Sequence, residues 1–340
     1  MVTFGGLTRT FQVTKNPLPA ISLMLGSGKH KTVTFKNGFK FQLTWQQFRT
    51  LRDNYSLINK FAISQVKDDL FKIENNESKV TCNCSLIPVV CGLMQKYTVT
   101  QEDDNSFKVS GDNFEIVGDS AMLLVVQEQE TGEYIFDYRG KVVLDVGGYQ
   151  GESAVFFARQ GASKVIVYEP VLANHKFIRK NISLNLINAE IHEEGISDKD
   201  GTQTISYCDV NTSFGLPCKG EHRMEIKVRN VANVLDQSGA DVAKIDCEGA
   251  EESLTGVPAE ILRKTKTYII EVHTPQIRKL VLEKFKASGF KLTKETPKTP
   301  LISVVTLDRI DNLGKSNDLL HQPAVLTTNK SREKAEAAHG

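Results

Sequence analysis

Several features common in proteins are scarce in this chain of 340 residues, and each scarcity narrows its class. No apolar run approaches the roughly 20 residues that span a bilayer. The N-terminus, MVTFGGLTRTFQ, lacks a basic segment leading into a long apolar one. The reading is therefore a cytoplasmic protein with no membrane partner. Cysteine is sparse: Cys82, Cys84, Cys91, Cys208, Cys218 and Cys247 show no disulfide framework. Cys82-x-Cys84 with Cys91 could begin a metal site, but no matching pair lies nearby, and plain thiols are the better reading. Net charge is nearly absent at +1, yet residues 1–67 hold ten Lys or Arg against one acid, Asp53, whereas residues 68–138 hold four Lys against fourteen acids. Such halves either neutralise each other across one folded unit or turn the basic half toward an anionic partner.

What is present is 40 % apolar and 24 % charged residues, the composition of a globular chain long enough for two domains. Residues 1–138 read as an α+β domain of unassigned role, open to substrate recognition. KTVTFK and FKFQLTW alternate polar and apolar residues around Asn37-Gly38, which predicts a hairpin with a type I′ turn. Thr44 and Gln47 have the spacing of a capping box, and Trp45, Phe48, Leu51, Arg52 and Tyr55 fall at helical spacing behind it. SFKVSGDNFEIVG predicts a strand pair turning near Gly111, and DSAMLLVVQEQE a helix.

From about residue 139 the texture changes to runs of Val and Ile alternating with amphipathic segments, the habit of a parallel sheet covered on both faces. KVVLDVG, KVIVYEP, AEIHEEGIS, DVAKIDCEG and KTYIIEVHT read as successive strands. GFKLTKET and LISVVTLDRI close the domain near residue 312 as a strand pair, which predicts an antiparallel last strand. Residues 313–340 are polar and are expected to be disordered.

The turn after the first strand is Asp145-Val-Gly147-Gly148-Tyr149-Gln-Gly151. A dinucleotide site asks for G-x-G-x-x-G, so the spacing is wrong for NAD. S-adenosylmethionine carries an ammonium, a carboxylate and a ribose diol. A loop that combines close backbone approach with an acid suits it better, and Glu169 ends the second strand where a carboxylate accepts from both ribose hydroxyls. The competing reading of Asp145 and Glu169 is as solvated strand-end acids.

VVLDVGGYQG, VIVYEP, EEGISDKDG, AKIDCEGAE and YIIEVH occur in the order of a class I S-adenosylmethionine-dependent methyltransferase and together resemble the FkbM family over residues 141–310, about half the chain. The resemblance implies a Rossmann-like α/β fold: a seven-stranded, mostly parallel sheet with the last strand antiparallel. It also implies S-adenosylmethionine contacts from Asp145, Gly147 and Gly151, with Gly148 and Tyr149 between them, from Glu169 and Pro170 at the ribose, from Gly195, Ile196 and Ser197 at the adenine, and from Asp246. Gly148-Tyr149 stands where the family usually has Ala-Asn, so a polar contact from that asparagine is not carried over.

Asp246, Glu248, Glu271 and His273 gather at the ends of the fourth and fifth strands, beside the ligand crevice of such a fold. Three readings stay open: His273 as a general base oriented by a carboxylate; the four residues around a divalent cation that polarises the acceptor oxygen; or Glu248 and Glu271 as struts that hydrogen-bond loop backbone. One imidazole among carboxylates is a loose pattern for any particular metal.

The resemblance implies O-methylation of a sugar, glycan or small metabolite. The alternative is an RNA methyltransferase that binds nucleic acid through residues 29–60, where Lys36, Lys40, Arg49 and Arg52 interleave with Phe35, Phe39, Phe41, Trp45 and Phe48. Those rings equally suit a core.

Overall fold

The computed structural model describes residues 4–26, 30–103, 105–130, 132–207 and 222–312. Cys208, Cys218 and the tail from 313 onward lie outside the described residues.

The N-terminal unit opens with helices Phe4–Val13 and Leu18–Met24 against the hairpin Lys31–Thr34/Lys40–Leu43. The hairpin turn departs from the type I′ expectation. Gly38 N–H donates to Phe35 O at 3.0 Å, Phe35 N–H donates to Phe39 O at 2.8 Å, and only Gly38 takes positive φ, at 97°. The added residue makes a turn followed by a left-handed glycine, which needs one permissive position instead of two. The predicted capping box is present: Gln47 N–H donates to Thr44 Oγ1 at 3.3 Å, and Thr44 N–H donates to Gln47 Oε1 at 2.8 Å. The helix it starts, Trp45–Asp53, ends at Asn54, and Tyr55 begins a separate turn.

Six strands follow in sequential order, as two three-stranded meanders. The first ends in helix Ile87–Leu93 and the second in helix Ser120–Gln129, the helix expected from DSAMLLVVQEQE, which Asp119 caps. Phe35, Phe41, Phe48 and Phe71 fill the core of this unit.

In the second unit the strands of the main sheet are β1 Val142–Val146, β2 Lys164–Tyr168, β3 Ala189–His192, β4 Val242–Ile245, β5 Thr267–Val272, β6 Phe290–Pro297 and β7 Ser303–Arg309. The helices that position the site are α1 Glu152–Arg159, α2 Leu172–Leu184 and α3 Pro275–Ala287. The strand order is 3-2-1-4-5-7-6, and β7 runs antiparallel to both neighbours. This is a Rossmann-like α/β fold with an added N-terminal α+β unit, and its inner strands β1, β2, β4 and β5 are apolar runs because both faces are covered.

One strand is shorter than expected. AEIHEEGIS divides, because Glu193 and Glu194 would point to opposite faces of a sheet covered on both sides. The chain leaves the main sheet there, and Gly195–Ser197 pairs parallel with His222–Asn230 in a separate three-stranded sheet.

The two units join through α2. Asn181 Nδ2 donates to Val117 O and Gln150 O, and its Oδ1 accepts from Val117 N–H at 2.8 Å. Asn185 makes the same paired contact with the backbone of Glu115. Two asparagine amides thus satisfy the outer edge of strand Phe114–Gly118, which would otherwise present unpaired backbone groups. Tyr134 and Tyr138 follow the helix Ser120–Gln129 and are buried among Val143, Phe157 and Val165 of the second unit.

Candidate active site

The carboxyl ends of β1, β2, β4 and β5 open into one cleft of about 650 Å³, within the range of small-molecule sites. One wall comes from the N-terminal unit, through Ala121, Leu124, Val125 and Glu128 of helix Ser120–Gln129. Ile205 and Ile226 of the small sheet form another.

The glycines of the first loop are explained by packing. A Cβ on Gly147, at φ 79°, would lie 1.7 Å from Asp246 O, and one on Gly148 would lie 2.3 Å from Val167. Gly151, at φ 89°, faces the backbone of Ile178 in α2. The loop is thereby pressed onto β4, β2 and α2, and of the three glycines only Gly147 borders the cleft. Tyr149 is left-handed at φ 42°, a conformation that costs a side-chain-bearing residue on the order of 1–3 kcal/mol. It is held there because its N–H donates to Glu169 Oε2 at 3.0 Å and its hydroxyl reaches Asp119 at 3.3 Å.

Asp145 is buried behind the loop and does not border the cleft. Its Oδ2 accepts from Ser153 Oγ at 2.5 Å and its Oδ1 lies 3.3 Å from Lys244 Nζ. Lys244 also donates to Gly147 O at 2.7 Å. Burial favours the neutral amine, but Asp145 and Asp246 outweigh it and keep this lysine charged. Ser197 is likewise turned away, accepting from Gln203 and donating to Asp198. Gly195, Ile196, Pro170 and Glu169 do border the cleft.

Two acids there are unusual. Glu169 is buried and accepts from the N–H groups of Tyr149 and Val171 and from Asn174 Nδ2, while burial lifts its carboxyl to about 7. Glu152, at the first turn of α1, is fully buried and lifted to about 8 by desolvation. Its Oε2 accepts from Gln150 N–H, and its Oε1 has no hydrogen-bond partner among the described residues. An ammonium group would satisfy that oxygen, and a diol suits Glu169, so these residues fit S-adenosylmethionine.

The structure brings Asp246, Glu248, Glu271 and His273 together on the opposite side of the loop. His273 Nε2 lies 3.3 Å from Glu248 Oε2 and 3.7 Å from both Asp246 Oδ1 and Glu271 Oε1. Its Nδ1 is 3.1 Å from Glu251 Oε1. Burial alone would lower the imidazole, but the hydrogen bond and charge of Glu251, with Asp246 and Glu248, raise it to about 9. Desolvation lifts Glu248 and Glu271 to about 7, Asp246 adding to the effect on Glu271 while Lys298 opposes it. Lys298 bridges Glu271 Oε2 and Glu128 Oε2 at 2.9 Å each, tying β5 to the N-terminal helix across the cleft.

Four of these groups escaped the sequence reading. Glu251, Lys244 and Lys298 act through partners distant in sequence, so no local pattern marks them. Glu152 had a local signal, an acid in the first turn of a helix that follows a glycine loop.

Fold and cleft together define an S-adenosylmethionine-dependent class I methyltransferase domain. Residues 145–308, just under half of the chain, match the family model described as the methyltransferase FkbM domain. No curated protein matches. Among solved structures, a proposed RNA methyltransferase of Pyrococcus horikoshii is 14 % identical, with 56 % of this chain and 84 % of that one covered, at a TM-score of 0.36. A precorrin-6y C5,15-methyltransferase of Geobacter metallireducens is 11 % identical over 54 % and 87 %, at 0.34. A proposed S-adenosylmethionine-dependent methyltransferase of Streptococcus mutans is 9 % identical over 82 % and 86 %, at 0.39.

The basic aromatic segment of the N-terminal unit divides in the structure. Phe35, Phe41 and Phe48 are core and have no face free for a base, Phe39 and Trp45 are half-buried, and Arg52 is buried beside Trp45 and bonded to Asp53. Lys36, Lys40 and Arg49 are exposed. Cys82, Cys84 and Cys91 are buried thiols that burial pushes up to about 12. No helix among the described residues is long and apolar enough to cross a membrane.

Proposed function

We propose that this protein transfers a methyl group from S-adenosylmethionine to a hydroxyl oxygen, as an FkbM-type O-methyltransferase acting on a sugar, glycan or small metabolite. The observation that carries the reading is the cluster of Asp246, Glu248, Glu271 and His273 on the same cleft as Glu152 and Glu169. Glu169 and Pro170 hold the ribose, Gly195 and Ile196 border the adenine, and Glu152 and the Gly147–Tyr149 backbone hold the amino-acid end. Asp145, Gly148, Gly151 and Ser197 shape the loop and side wall from behind. S-adenosylmethionine supplies an electrophilic methyl on a sulfonium.

The protein must hold the acceptor in line with that methyl and take up the proton that the hydroxyl loses. Glu248 Oε2, buried and without a hydrogen bond, is the oxygen placed to receive it, and Glu251 fixes the ring of His273 beside it. Helix Ser120–Gln129 gives the N-terminal unit a direct part in choosing the acceptor.

A second reading keeps the chemistry and makes the acceptor RNA, whose phosphates would meet Lys36, Lys40 and Arg49. The FkbM match supports the first reading and the exposed cations support the second. Transfer of labelled methyl from S-adenosylmethionine into a cell extract, divided by nuclease, protease and size, decides. Label in nuclease-resistant glycans or small molecules is the expected result. Nuclease-sensitive label assigns RNA, and no label in any fraction overturns both.

A further inference from the structure

Of the three carboxylates that face His273 Nε2, those of Asp246 and Glu271 are held from behind, and methyl transfer alone does not require that. We propose that Asp246, Glu271 and His273 form a binding site for one divalent cation, with Mn²⁺ the best matched of the common ions. The proposal takes from the methyl-transfer reading only what the ion would do, which is to polarise the acceptor oxygen.

The argument rests on where each far atom is anchored. His273 Nδ1 is 3.1 Å from Glu251 Oε1, and Glu251 is itself fully buried and fixed by the N–H groups of Cys247 and Gly249, each at 2.9 Å. That leaves Nε2 turned toward Asp246 Oδ1, Glu271 Oε1 and, on one side, Glu248 Oε2. On each carboxylate the other oxygen faces a lysine: Asp246 Oδ2 lies 3.7 Å from Lys244 Nζ, and Glu271 Oε2 accepts from Lys298 Nζ at 2.9 Å and Tyr134 OH at 3.3 Å. Three ligand atoms therefore lie within 4.8 Å of one another, each aimed by a second group. Metal centres are built this way, with the far nitrogen of the imidazole and the far oxygen of the carboxylate engaged by outer partners.

Ligands sharing an ion at roughly 2.1–2.2 Å stand about 3 Å apart. The observed 3.7 Å separations from Nε2 close to that by small side-chain rotations. Two carboxylate oxygens favour a hard ion and the imidazole shifts the preference from Mg²⁺ toward Mn²⁺. Asp246, the most exposed of the three, borders the cleft and gives the ion an entry and open positions.

The test uses the full chain, stripped with chelator and titrated with MnCl₂ without S-adenosylmethionine, with free Mn²⁺ counted by electron paramagnetic resonance. One saturable ion per chain is expected, with ¹⁴N coupling from an imidazole in the pulsed spectrum. His273→Gln should abolish that coupling, and Asp246→Asn and Glu251→Gln should each weaken binding at least about tenfold. Melting in chelator confirms folding, and Glu271→Gln replaces any variant that fails to melt cooperatively. No saturable site in the wild type, or a site whose affinity and nitrogen coupling survive these substitutions, overturns the proposal. S-adenosylhomocysteine binding on the same samples separates the two readings. If it is retained while Mn²⁺ does not bind, the cation site alone falls. If Mn²⁺ binds as expected without it, the methyl-transfer reading falls and the cation site stands.

Discussion

Glu152 combines a stability cost with a proposed ligand contact, and the two can be pulled apart by one substitution. Its carboxyl is raised from 4.5 to about 8, and that of Glu169 from 4.5 to about 7, both through desolvation. An acid raised in this way folds most favourably when protonated. Its contribution is full below about pH 4.5 and is lost as the pH climbs through 7 to 8. The melting temperature should therefore fall between pH 5 and pH 9, and Glu152→Gln should remove much of the fall. The same variant should bind S-adenosylhomocysteine more weakly, because the amide no longer opposes the ammonium charge. Calorimetry at pH 9 would show the melting temperature raised and the affinity lowered; an unchanged affinity would remove Glu152 from the ligand site. Glu169→Ala should cost at least about tenfold in affinity, since hydrogen bonds to a charged group are worth roughly 1.5–3 kcal/mol each. Equal binding by that variant would reject the ribose assignment.

At the scale of elements, the sheet places the chemistry and α2 holds the molecule together. The order 3-2-1-4-5-7-6 puts the ends of β1 and β4 side by side, which is why the loop after β1 can be locked by Lys244 and why Gly147 has no room for a side chain. On the other side of β1, α2 reaches the N-terminal sheet through Asn181 and Asn185. Asn181→Leu would leave Val117 N–H, Val117 O and Gln150 O without partners in a buried place. A destabilisation of roughly 2–5 kcal/mol is expected in urea unfolding, accompanied by weaker S-adenosylhomocysteine binding because Gln150 belongs to the loop proposed to hold the cofactor. A loss under about 0.5 kcal/mol would mean that water replaces the amide and the joint is not structural.

For the whole molecule, the question is what the N-terminal unit adds. Ion pairs within each of its halves leave the charge asymmetry in place: Arg52 and Arg49 both pair with Asp53 within residues 1–67 and Lys96 with Glu130 within residues 68–138, and Lys36, Lys40 and Arg49 are on the surface. Changing those three to Gln together should leave methyl transfer to a sugar or small metabolite unchanged at all salt concentrations. A loss that grows with salt sensitivity in the wild type would assign an anionic polymer as acceptor. The same unit borders the cleft through Glu128, which pairs with Lys298 of the second unit, so the proposed part in acceptor choice does not depend on that surface.

The sequence alone determined the order and nature of most elements in the second unit, because a parallel sheet covered on both faces writes itself as unbroken Val and Ile runs separated by helical patterns. It also determined the antiparallel last strand, the capping box at Thr44 and the cluster of Asp246, Glu248, Glu271 and His273, since strand ends carry the polar residues of such a crevice. The turn at Gly38, the division of AEIHEEGIS and the fate of the aromatic rings were decided by tertiary contacts. A hairpin signal fixes the turn region without its length, and a ring at helical spacing reads the same whether it faces a core or a base. Likewise, Asp145 and Ser197 sit in the right motif but face inward, because what lies behind a loop depends on β4 and the small sheet and not on the loop itself. Glu251, Lys244 and Lys298 became visible only when the fold brought them to partners 20 to about 170 residues away, and it is those long-range pairings that aim the site.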